Sequence, residues 1–205
     1  MPNNAASRTK ELMIDVARQL FAKIGISNTT MNDIADKSKK GRRTIYTYFR
    51  NKADILTAII QKELDTLAEN LRAAKSARLR PENKLIHFIY IHLESMKDIV
   101  NRNGSLQAEF FSDIHMVERT RRSLDREERA MIKEILDEGV ANGHFSITNT
   151  QIAASIILGS IKGLEVPYIA GRIRNKNGEI FDEFRCTVEQ MLLNGIRPKH
   201  PRSAS

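Results

Sequence analysis

The sequence predicts an all-α chain: a three-helix N-terminal head containing a helix-turn-helix, followed by a larger helical domain. Three observations carry this. Apolar residues recur every three to four positions along most of the 205 residues. The alternating Val/Thr-rich runs that mark half-buried strands are missing. Gly and Pro number only 10 and 5, so long helices are rarely interrupted. The head is expected at residues 1–52 and the second domain at 53–205.

Residues 1–7 are small and polar, without periodicity, and predict no element. A helix follows to about Ile24, with Met13, Val16, Ala17, Leu20, Phe21 and Ile24 on one stripe, stopped by Gly25. Thr30 with Asp33 three positions on predicts a capping box, because each side chain satisfies an amide left free at the helix start. That helix ends near Lys37, where Ser38-Lys39-Lys40-Gly41 reads as a turn. From Arg42 a second short helix buries Ile45 and Phe49 four positions apart. It leaves Arg42, Arg43, Thr44, Tyr46, Thr47 and Tyr48 facing outward.

That outward set differs from an ordinary solvated face. Every charged residue from Lys37 to Lys52 is a base, and tyrosines and hydroxyl donors are interleaved with them. Arginine presents bidentate donors to phosphate or guanine, and Thr and Tyr donate to phosphate oxygens. A short helix, a turn and a basic-aromatic helix fit a motif whose second member enters the major groove of DNA. The regional charge agrees: residues 1–52 hold 11 Lys/Arg against 4 Asp/Glu, whereas 53–205 hold 22 against 21. A cationic excess confined to one end points to a polyanion.

Thr30-x-x-Asp-Ile-Ala followed by Thr44-Ile-Tyr-x-Tyr-Phe-x-x-Lys52 resembles the DNA-binding signature of the TetR family of transcriptional regulators. The likeness is dense from about Leu12 to Ile60. It implies that Thr30, Thr47, Tyr48 and Lys52 hold phosphates, while Arg42, Arg43, Thr44 and Tyr46 reach base edges or neighbouring phosphates. It also implies a palindromic double-stranded DNA operator, a homodimer, and a small-molecule effector bound by the second domain. Two departures stand out, since the family often has Gly where this chain has Lys39 and Arg43. Lys in a left-handed turn costs about 1–2 kcal/mol, so Gly41 is expected to carry the bend.

Asn51 caps the next helix, with Asp54 at its third position. Lys52 in that first turn opposes the helix dipole, a mismatch that a phosphate would resolve. Ile55, Ile59, Leu64, Leu67 and Leu71 carry the helix to about residue 77. In the resemblance, a swing of this helix respaces the two reading heads of a dimer.

Pro81 opens a helix that is apolar nearly all round, with His87, Tyr90 and His92 as polar handles. His87, Phe88, His92, Phe110, Phe111 and Met116 are the candidate lining of an effector pocket; packed core positions are the alternative. A short helix at 106–116 and a long one at 118–140 follow. The long helix turns Leu124, Met131, Ile135 and Leu136 inward, with Glu118–Arg122 and Asp125–Arg129 pairs on a solvated face. The last helices are expected at 151–170 and 179–194. Gly159 and Gly163, four apart, suggest close approach by another helix. Ile156, Gly159, Gly163, Phe184, Val188 and Met191 are the candidate dimer interface, in a four-helix arrangement.

No Gly-rich phosphate loop, paired-Cys motif or nucleophile elbow occurs, so no catalytic residue, cofactor or metal is expected. The single cysteine, Cys186, reads as a small packed residue and fits a reducing cytoplasm. No apolar run is expected to approach the roughly 20 residues of a membrane span. The function implied is a sequence-specific transcriptional regulator, more often a ligand-released repressor. The alternatives are a non-specific nucleic-acid-binding protein and a helical ligand-binding protein without operator specificity.

Overall fold

The computed structural model describes residues 3–103, 114–173 and 186–196, and within them all side chains except those of 3–4, 114–120, 192 and 195. Described residues form helices and turns, with no strand among them. The elements are α1 (Asn3–Ile24), α2 (Met31–Lys37), α3 (Arg42–Tyr48), α4 (Lys52–Lys75), α5 (Pro81–Asn103), α6 (Ile114–Ala141) and α7 (Thr150–Ile169). A π-helical turn (Glu189–Leu193) and the three-residue α8 (Asn194–Ile196) follow.

The chain divides into two compact units, Met1–Thr66 with Asp98–Arg122, and Leu67–Lys97 with Ser123–Ser205. The head expected at 1–52 lies inside the first unit, which also takes in the start of α4 and the end of α5.

In the first unit α1 begins at Asn3, earlier than its apolar stripe announces, so most of the polar 1–7 segment is helical. Met13, Val16, Ala17 and Phe21 are buried as expected, and Ile14 joins them, while Ile24 stays exposed. Gly25 ends the helix at φ +83°, a conformation only glycine adopts freely. Ile34, Ile45, Phe49, Ile55 and Ile59 complete the core. On the flank, Glu63 of α4 is buried and accepts from Arg102 Nη2 at 2.8 Å and Asn103 Nδ2 at 3.2 Å. These contacts tie the end of α5 to α4, and Lys62 ties α4 to Asp15 of α1 at 2.7 Å.

In the second unit α5 supplies Leu85, Phe88, Ile89 and Leu93 to a core shared with Met131, Ile132, Ile135 and Leu136 of α6 and Ile157, Leu158 and Ile161 of α7. Gly143 at φ +73° closes α6, and the chain turns back so that Phe145 packs on Gly139. A Cβ on Gly139 would lie 2.1 Å from the Phe145 ring, so this glycine is required by contact.

Several expectations change. α6 starts by Ile114, so Met116 belongs to the long helix and not to a separate short one. The charged face of α6 is not wholly solvated: Glu128 is fully buried, and Asp125 pairs with Lys162 of α7 at 2.6 Å instead of with Arg129. Interhelical partners displace the intrahelical ones because α7 brings an ammonium within reach. α7 itself is long and apolar enough, by length and composition, to cross a membrane, with a third of that stretch buried. No such run was expected; Lys162 and Glu165 interrupt it and both are ion-paired. Pro167 lies two residues before the end of α7. Cys186 is exposed instead of packed. The π-helical turn within the expected last helix had no signal in the sequence.

Candidate nucleic-acid interface

The interface is assembled from the α2–α3 pair. Thr30 caps α2 as expected: its hydroxyl oxygen accepts from the Asp33 amide at 3.1 Å, and Asp33 Oδ2 accepts from the Thr30 amide at 2.8 Å. The backbone and hydroxyl donors of Thr30 hold the Asp33 carboxyl below its ordinary range. Thr29 is buried and its hydroxyl donates to the Gly25 carbonyl at 2.8 Å, bracing the α1–α2 connection.

The turn departs from expectation. Lys39, not Gly41, carries the bend, at φ +54°, while Gly41 is an ordinary extended N-cap at φ −66°. The reason lies in the helix end. The Lys39 amide donates to the Asp36 carbonyl at 3.0 Å and the Lys40 amide to the Ala35 carbonyl at 2.9 Å. That pair of bonds is a Schellman closure, which requires its first post-cap residue to be left-handed whatever its type.

α3 then presents the predicted face. Ile45 and Phe49 are buried. Arg42, Arg43 and Thr47 are exposed, Tyr46 is 45% exposed, and Thr44 and Tyr48 are half-buried. The Arg42 guanidinium lies over the Tyr46 ring, 6.0 Å from its centroid. Among the described residues neither Arg42 nor Arg43 has an acidic partner. Gly41 caps through its backbone alone, leaving first-turn amides of α3 without a side-chain acceptor. Thr47 donates its hydroxyl to the Arg43 carbonyl at 3.1 Å.

Lys52 is engaged within its own unit. Its Nζ donates to the Ile26 carbonyl at 2.6 Å and, more distantly, to Ser27 at 3.5 Å. The ammonium thus anchors the α1–α2 connection to the start of α4, where Asn51 Oδ1 accepts from the Asp54 amide at 2.9 Å.

Of the candidate pocket residues, Phe88 and His92 are fully buried, His87 is half-buried, and Phe110, Phe111 and the Met116 side chain lie outside the described residues. A cleft of about 160 Å³ occurs in the first unit, lined by Ile14, Asp15, Arg18, Ile59, Lys62, Glu63, Thr66 and Arg102. What sequence reasoning missed is the setting of His92. Its Nε2 donates to Glu165 Oε1 at 2.9 Å, and its Nδ1 lies 3.4 Å from Glu128 Oε1, all three side chains being buried. Burial opposes a charged imidazole here, yet the two carboxylates outweigh it and push His92 up to about 9. Nearby, Tyr168 donates to Glu94, and burial together with that carboxylate raises its phenol. Glu165, the single acid in the largely apolar α7, was the one available signal.

Of the candidate dimer residues, Ile156 is 62% exposed, Gly159 and Gly163 have no atom near a would-be Cβ, and Met191 is 77% exposed. Ile152 and Val166 extend the same outward stripe of α7 at alternating spacings of four and three. Val188 is buried within its own chain, and Phe184 lies outside the described residues.

Residues 13–59 match the family model for bacterial regulatory proteins of the tetR family, and residues 66–197 match the QacR-like C-terminal region. The HTH-type transcriptional repressor KstR2 of Mycolicibacterium smegmatis is 28% identical over 149 residues, 70% of each chain. Among solved structures, a transcriptional regulator from Cytophaga hutchinsonii is similar with a TM-score of 0.72 at 21% identity, covering 92% of this chain and 98% of its own. FadR from Bacillus subtilis, solved in complex with stearoyl-CoA, gives a TM-score of 0.64 at 21% identity, covering 91% and 99%.

Proposed function

This chain belongs to the TetR family of helix-turn-helix, DNA-binding transcriptional regulators, and from that premise we propose that it is a cytoplasmic homodimeric repressor that binds a palindromic operator and is released by a small molecule. The observation that carries the reading is the α3 face, where Arg42, Arg43, Tyr46 and Thr47 stand exposed with no acid among the described residues to neutralise them. Uncompensated cations on a short, rigid element favour a polyanion, and the interleaved ring and hydroxyls suit groove edges and phosphates.

In this proposal Thr30, Thr47, Tyr48 and Lys52 position the phosphate backbone, and Arg42, Arg43, Thr44 and Tyr46 reach base edges or neighbouring phosphates. The outward apolar stripe of α7, with Ile156, Gly159 and Gly163, supports pairing with a second copy, since two glycines let helix backbones approach closely. Phe184 and Met191 are assigned to the same interface from the sequence. The effector is assigned to the second unit, on the α5 residues His87, Phe88 and His92. The regulatory names of the relatives favour this over a catalytic role.

The test is selection of duplexes from a random pool at physiological salt. Enrichment of inverted repeats whose half-sites lie about one helical turn apart supports the reading. Recovery of unrelated sequences with no common repeat favours a non-specific nucleic-acid-binding protein.

A further inference from the structure

We propose that Arg42 and Tyr46 form one reading element, in which the tyrosine ring fixes the arginine for a guanine edge while Arg43 contacts phosphate. The inference rests on the regulator function proposed above and divides labour within its DNA-binding face.

Residues four apart on a helix share a face, which brings the Arg42 guanidinium to 6.0 Å from the Tyr46 ring centroid. Arg43, one position on, points about 100° further round the helix. Among the described residues no ring contact or ion pair holds it. The two arginines therefore differ in what supports them although both are exposed. A guanidinium over an aromatic face is attracted by the ring quadrupole and commits none of its N–H donors. Its donor fork stays available for the O6 and N7 acceptors of a guanine, a contact that tolerates little misalignment. An arginine without such a support reaches a phosphate from many side-chain conformations, which adds affinity without sequence information. Arg42 thus loses less freedom on docking than Arg43, because the ring has already restricted it.

The test is a double-mutant cycle on the full-length protein, using the duplex recovered by selection and versions with each G·C pair of a half-site exchanged. Arg42→Ala and Tyr46→Leu are each expected to lose discrimination at the same pair, by roughly 5- to 150-fold for the arginine. The double variant should be no worse than Arg42→Ala, giving a coupling of roughly 2- to 30-fold. Tyr46→Phe, which keeps the ring, should retain discrimination at that pair, and Arg43→Ala should weaken all duplexes alike. Thermal melting of each variant reports whether the fold is intact. Additive losses in the cycle, or loss of guanine discrimination in Arg43→Ala, overturn the inference while leaving operator binding established. If no duplex is preferred by the unaltered protein, the regulator reading fails and this one with it.

Discussion

Lys39 stands in a left-handed position that a Schellman closure demands and that glycine would occupy without strain. Replacing it should therefore stabilise the protein. Lys39→Gly is expected to gain about 0.5–1 kcal/mol in urea unfolding, less than the full left-handed penalty because glycine also frees the unfolded chain. A loss of stability would show that the Lys39 side chain has a compensating contact. Lys52 poses a different question, because its ammonium is occupied by the Ile26 carbonyl. If it also serves phosphate, Lys52→Ala weakens binding to every duplex and lowers the salt slope by about one. An unchanged slope with reduced stability would make it a brace alone. His92 gives a signed pH dependence. Its folded value of about 9 exceeds the ordinary 6.5, so its contribution is fully present below about pH 6.5 and is lost as pH rises through about 9. Urea midpoints should fall over that window, and the His92 imidazole should titrate near 9 by NMR; titration near 6.5 would contradict the ion pairs with Glu128 and Glu165.

Among the helices, α6 shows best where propensity and packing part company. Ala is the better helix former, yet Gly139→Ala should cost about 1–3 kcal/mol, since the added methyl meets the Phe145 ring. A neutral or stabilised variant would mean the ring moves aside freely. The sequence made the helices themselves legible because caps and periodicity are local signals. Thr30 with Asp33, Asn51 with Asp54, Gly25 and Gly143 each mark an end within a few residues of its cause. The inward residues of α4 and α6 followed from their spacing. What stayed hidden depended on partners far along the chain. Nothing near Glu128 announces that it is buried opposite a histidine 36 positions earlier, and Asp125 looked satisfied by Arg129 until α7 supplied Lys162. The bend at Lys39 was misjudged for a related reason: composition favoured Gly41, but closure geometry at the end of α2 decided the position.

For the molecule as a whole, the α3 face was legible because a surface meant for a polyanion must leave its charges unpaired, and unpaired charge shows in sequence as a run of bases without acids. The outward stripe of α7 was half-legible. The glycines of α7 were visible, but only the structure leaves Ile152, Ile156 and Val166 exposed around them. If this stripe pairs two copies, Ile156→Asp should shift the protein toward monomer in sedimentation by tenfold or more, with operator affinity falling in step. A dimer of undiminished affinity would place the interface elsewhere. The central claim, that the acid-free face of α3 reads DNA in two copies, is tested most directly by titrating the selected palindrome and a scrambled duplex of the same length at physiological salt. The account predicts two chains per palindrome and a preference of about 10³-fold or more; equal affinity for the two duplexes would contradict it.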